Sequence, residues 1–112
     1  MKLVPVEWAP LPGGPLDVSD PDAVAPEPVE VLSAVLGDGG YVLSLSGTVH
    51  QARRVSSVEV RETAEEVTVS VFAGWPPFFA EAGQHLVHDV GRTFRVEIQL
   101  DSPLGPRQLY CV

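Results

Sequence analysis

The sequence predicts an all-β fold: a small antiparallel β-sandwich of six to eight strands with a Pro-rich extended N-terminal arm. Three observations carry this expectation. From Val29 onward, apolar residues recur at every second position in several short runs. Segments rich in glycine, proline, aspartate and serine separate those runs. Seven of the eleven prolines (Pro5, Pro10, Pro12, Pro15, Pro21, Pro26, Pro28) crowd residues 5–28. Proline has a fixed φ and no N–H, so that stretch is neither helix nor central strand.

Taken in chain order, residues 1–28 form the acidic arm, packed on or extending from a domain at 29–112. Leu3, Val4, Val6, Trp8, Leu11, Leu16 and Val18 are more apolar than a solvated linker wants, and residues 3–7 fit an edge strand. Residues 19–28 are the expected mobile piece. Residues 29–36 read as one β-branched, apolar strand, although they also fit a turn and a half of helix. Gly37-Asp38-Gly39-Gly40 then supplies positive φ for a tight reversal. Tyr41, Leu43 and Leu45 alternate with Ser44, Ser46 and Thr48. Val58 and Val60 alternate with Glu59 and Arg61, residues 62–66 turn, and Val67, Val69 and Val71 return. Phe94, Val96, Ile98 and Leu100 form one face of the next strand, opposite Thr93, Arg95, Glu97 and Gln99. Residues 101–106 reverse the chain into a last strand. One sheet of this kind leaves its apolar face wet, so two sheets must stack.

Length and charge bound the function. At 112 residues the chain is one domain. A single cysteine, Cys111, allows no internal disulfide and no cysteine-based zinc site. The net charge of -8 disfavours a nucleic-acid backbone as partner. Most of that charge lies in residues 1–40, where seven acids face one base. No run of about 18 apolar residues predicts a membrane span. The opening segment, interrupted by Pro5 and Glu7, does not read as a secretory signal, which points to the cytoplasm.

The candidate site residues fall in three groups. Trp75-Pro76-Pro77-Phe78-Phe79 sets three aromatics on a proline-stiffened loop, which either plugs one end of the fold or offers rigid anchors to a partner. Trp8 joins Trp75, Phe78 and Phe79 as a candidate contact. His85, His88 and Asp89 are candidate metal ligands, with His50 at a strand end nearby. On an extended segment His85 and His88 point to opposite faces, so one metal needs a turn between them; exposed loop histidines are the competing reading. Asp17, Asp20 and Asp22 cluster, but Pro21 obstructs a calcium loop and a solvated acidic arm accounts for them. No serine sits in a Gly-x-Ser-x-Gly elbow, no phosphate cradle is visible, and Cys111, between Tyr110 and Val112, reads as a buried structural thiol rather than a nucleophile.

Residues 55–71, together with the closing Leu100-Asp101-Ser102-Pro103-Leu104-Gly105-Pro106-Arg107 segment, resemble small uncharacterised β-rich proteins of actinobacterial type. Many of these look secreted or lipoprotein-like and carry cysteines that this chain lacks. The resemblance covers about residues 45–112, implies a β-rich fold, and brings no activity or functional residue.

These readings converge on a non-catalytic module without cofactor, binding another protein through the acidic arm and the aromatic loop. Nucleic acid and membrane are not expected partners, and the oligomeric state stays open. The alternative is a small-molecule or sugar-binding module, or an enzyme with a strand-end His/Asp site (His50, His85, His88, Asp89).

Overall fold

A computed structural model describes residues 1–17, 19–77 and 91–112, with Asp38 defined by its backbone alone. The regular elements within these residues are nine strands and one 3-10 turn: β1 (Lys2–Leu3), β2 (Val6–Trp8), β3 (Val24–Val29), β4 (Val31–Gly37), the turn Asp38–Gly40, β5 (Val42–His50), β6 (Arg54–Glu62), β7 (Glu66–Trp75), β8 (Gly91–Gln99) and β9 (Gln108–Cys111). The chain is therefore all-β, in two open sheets. One sheet runs β2-β4-β5-β8. The other is organised around β7, which pairs with β6, β9 and β3, while β1 adds to β9.

The period-two segments become strands whose alternate residues go dry. Along β8, Phe94 and Val96 are buried while Thr93, Glu97 and Gln99 are exposed; Leu100, just beyond, is buried and Ile98 packs against the core from the rim. Along β7, Val67, Val69, Val71 and Ala73 have no exposed surface, and Thr68, Ser70 and Phe72 between them are half-buried. These residues join Val31, Ala34, Leu36, Leu43, Leu45, Val55, Leu109 and Cys111 in a single cluster drawn from both sheets. Each fully buried Val, Leu or Phe contributes about 1.5–3 kcal/mol, so this cluster is the main source of stability. The glycine run makes the reversal its composition demands: Gly39 and Gly40 sit at φ 70° and 91°, and β4 and β5 pair from Gly37↔Val42 onward.

Two expectations need correction. Strands number nine among the described residues, not six to eight, and the sheets are not purely antiparallel: β2 pairs parallel to β4, and β7 parallel to β9. The added strands arise in two places: the N-terminal edge strand divides in two, and β3 lies mostly in residues 24–28, which read as a mobile piece but pair with β7 instead. The N-terminal edge strand breaks at Val4-Pro5. Val4 N–H donates to Leu109 O of β9 at 2.8 Å, whereas Pro5 O accepts Ala34 N–H of β4 at 3.1 Å. Two consecutive residues thus bond to different sheets, and proline, with no N–H, ends the first ladder there. The segment predicted at 29–36 is likewise split. Val29 closes β3 in one sheet, Val31 opens β4 in the other, and Glu30 is the crossing. Pro26 and Pro28 are accommodated because, among the described residues, β3 pairs only with β7.

The crossing at Glu30 requires a residue without a side chain opposite it. A Cβ on Gly47 would overlap Glu30 O and approach the Phe94 ring at 2.7 Å. Gly47 pairs with Phe94 on one side and Val31 on the other, and a β-bulge between Val31 and Ser33 absorbs the extra residue. Lys2 and Glu30 then join the two crossings by an exposed ion pair.

Edge strands are covered unevenly. The outer edge of β8 carries residues 12–17: Asp17 N–H donates to Arg95 O (2.8 Å), and Asp17 Oδ2 accepts Arg95 N–H (2.9 Å). The Arg95 guanidinium donates to the carbonyls of Pro12, Gly13 and Gly14. Farther on, Asp20 N–H reaches Val55 O at 2.7 Å, so the same stretch touches the beginning of β6.

Candidate functional site

Strand ends place two of the residues singled out from sequence side by side. His50 ends β5 and Trp75 ends β7; their ring centroids lie 5.1 Å apart at an interplanar angle of 53°. Arg53, from the turn after β5, sets its guanidinium carbon 5.9 Å from the Trp75 ring centre. The indole thus touches an imidazole and a guanidinium, and is half-buried. His50 Nδ1 accepts Ala52 N–H at 3.1 Å, which leaves the ring proton to Nε2 when the ring is neutral.

Around this ring cluster the charges are largely committed. Arg53 Nη2 donates to Ala73 O and stands 3.9 Å from Glu27 Oε2, while its buried Nε has no hydrogen-bond partner among the described residues. Arg92 Nη2 donates to Arg53 O at 3.0 Å, and Arg92 Nη1 pairs with Asp17 Oδ1 at 2.8 Å. Asp17, which read as part of a solvated acidic cluster, is instead a half-buried anchor for Arg92 and β8. Asp20 Oδ1 accepts Asp22 N–H at 3.0 Å, a local turn contact. Arg53 and Arg92 were missed as organisers because arginines interleaved with glutamates also suit an ordinary solvated face. The one available signal was their clustering at strand boundaries.

Phe78, Phe79, His85, His88 and Asp89 lie outside the described residues. Among the described residues no group of three or more His, Cys, Asp or Glu side chains is placed to hold a metal. There, too, no helix is long and apolar enough to cross a membrane.

Trp8 stands apart from Trp75. It pairs with Leu36, which pairs with Leu43, at the end of β5 remote from His50. Its indole is 67% exposed, on the outermost strand of its sheet. Beside it a groove of about 280 Å³ is lined by Leu3, Val6, Leu104, Gly105 and Leu109, among others. Leu3 is also more than half exposed.

No family model, curated protein or solved structure matches the chain.

A larger recess of about 460 Å³ lies at the closing turn, between Glu62, Thr63, Ser102, Pro103 and Arg107. Its polar atoms serve the turn itself. Arg107 Nε donates to Leu104 O (3.1 Å), Nη1 to Glu62 Oε1 (3.3 Å) and Thr63 O (3.1 Å), and Nη2 to Ser102 O (3.0 Å) and Pro103 O (2.9 Å). Asp101 N–H donates to Glu62 Oε2 at 2.8 Å. That bond holds the Glu62 carboxyl below its ordinary range, against the opposing effect of burial, with Arg107 and the Ser102 N–H adding to it. The Leu-Asp-x-Pro-Leu-Gly-x-Arg segment is thereby accounted for as an arginine-clamped turn, fixed further by Leu104 N–H donating to Gly40 O at 2.9 Å.

Proposed function

We propose that the two sheets form the layers of a β-sandwich that works as a non-catalytic binding module for another protein, with Trp8 as its anchor. The observation that carries this reading is a tryptophan 67% exposed on an edge strand, lining a groove whose walls are mainly apolar but include Arg107 and Gln108. Tryptophan dominates the energetics of protein interfaces because one stiff ring fills a pocket at low entropic cost. Trp75, by contrast, is already occupied by His50 and Arg53. The surplus of acids gives the partner its character: a basic surface around an apolar pocket, drawn to a chain of net charge -8.

The test begins with immobilised protein and an extract of the source cells at low salt. A protein recovered this way and purified is titrated against wild type and Trp8→Ala. The expected result is a loss of at least about tenfold in affinity for Trp8→Ala, as for a central interface tryptophan, and weaker association as salt rises. Equal affinity for the two forms, or no protein recovered at all, overturns the reading.

A further inference from the structure

We propose that β6 is a self-pairing edge, through which two copies of the chain join antiparallel about a two-fold axis at Val60. The inference uses a different strand from the Trp8 surface and does not depend on it.

Among the described residues the nine-residue β6 pairs as a strand only with β7, so beyond Val55 its far side has no strand partner for its backbone donors and acceptors. Asp20 occupies that side only near the strand's start, at Val55. Other edges are short or blocked. β1 and β2 span two and three residues, β3 contains Pro26 and Pro28, and β8 lies under residues 12–17. Burial along the core-facing side of β6 also falls away, from Val55 (1% exposed) through half-buried Val58 to Val60 (40%). An apolar residue on the inner side of a sheet is left wet at the place where a neighbouring strand would cover it.

The charge pattern chooses both the occupant and the register. Residues on paired strands share a face, so a two-fold axis must pass through a residue rather than between two. Placed at Val60, the axis sets Val60 against its own copy and Glu59 against Arg61 of the second copy, twice over. Moving the axis to Glu59 or Arg61 sets like charges directly opposite each other, which is destabilising. The run Glu59-Val60-Arg61 is thus complementary to itself in one register. A second copy of this chain is the partner it fits.

The intact chain is followed by sedimentation from micromolar to millimolar concentration. The 12.0 kDa mass should double with rising concentration. Glu59→Arg faces two arginines with two more and should weaken the dimer by about tenfold or more. Adding Arg61→Glu to that variant exchanges the charges and should restore it. Val60→Cys should give a disulfide-linked dimer on mild oxidation, since directly opposite residues lie about 4.5–5.5 Å apart. A wild type that stays monomeric throughout, or a dimer indifferent to Glu59→Arg, refutes the proposal.

Discussion

Replacing Arg107 with methionine removes the clamp of the closing turn while keeping the length of its apolar stem. The guanidinium is 9% exposed and its Glu62 partner 15%. In its absence the four carbonyl oxygens of Thr63, Ser102, Pro103 and Leu104 can turn to water, because the turn lies at the surface. Glu62 loses its cation but keeps the Asp101 N–H. Hydrogen bonds to charged groups contribute about 1.5–3 kcal/mol, whereas re-solvation returns most of the neutral ones. The expected cost is about 2 kcal/mol, or roughly 8 °C in Tm for a domain of this size. Arg107→Lys should recover little, since one ammonium cannot reach the positions of three separate guanidinium nitrogens.

The pH dependence gives this experiment its control. Glu62 titrates below its unfolded value, so its contribution is complete above the unfolded pKa and fades as pH falls through the folded one. The stability gap between wild type and Glu62→Gln, from urea titrations, should be widest near neutrality and narrow as pH falls below the ordinary glutamate range. A gap equal at pH 7 and pH 3, or Arg107→Lys as stable as wild type, would refute the clamp.

Further expectations concern the core. Phe94→Ala, at a site with no exposed surface, should cost about 3–5 kcal/mol by chemical denaturation and leave a partly molten core. Gly47→Ala, although small, should cost about 1–3 kcal/mol because backbone and an aromatic ring meet its Cβ, while Gly13→Ala, with nothing within 4 Å, should be close to neutral. Cys111, buried at 3% exposure with Sγ toward Val31 O, should react with thiol reagents at a rate that tracks unfolding rather than reagent concentration. Fast labelling of the native chain would contradict the placement of β9.

The all-β class and the inward residues of β5, β7 and β8 were legible because period two is a local signal, repeated in every strand. The sheet changes were not. Val29 and Val31 are both apolar and two apart, which is the pattern of one strand; only the bonds made by their neighbours divide them between sheets. The parallel pairings, β2 with β4 and β7 with β9, were hidden for the same reason, since they are set by partners far away in sequence. At the candidate sites, Trp75 and His50 could be named from sequence but not joined, and Trp8 could not be seen to stand alone. Asp17 misled by company: three carboxylates in six residues look solvated, and an arginine 75 positions later in the chain gives no local warning.

One feature of the β7 sheet bears on how the protein comes to be made. Along one flank of β7, β9 occupies the first half and β3 the second, with Val69 opposite Cys111 and Val71 opposite Val29. Half of that flank is therefore satisfied only by β9, a strand that comes after β7 and β8 in the chain. During synthesis β7 is made before β9, with β6 along one side and β3 along half of the other, so its first half stays unpaired on that flank. Any truncation that removes residues 108–111 would make that transient exposure permanent, and aggregation rather than a smaller folded domain is the outcome to expect.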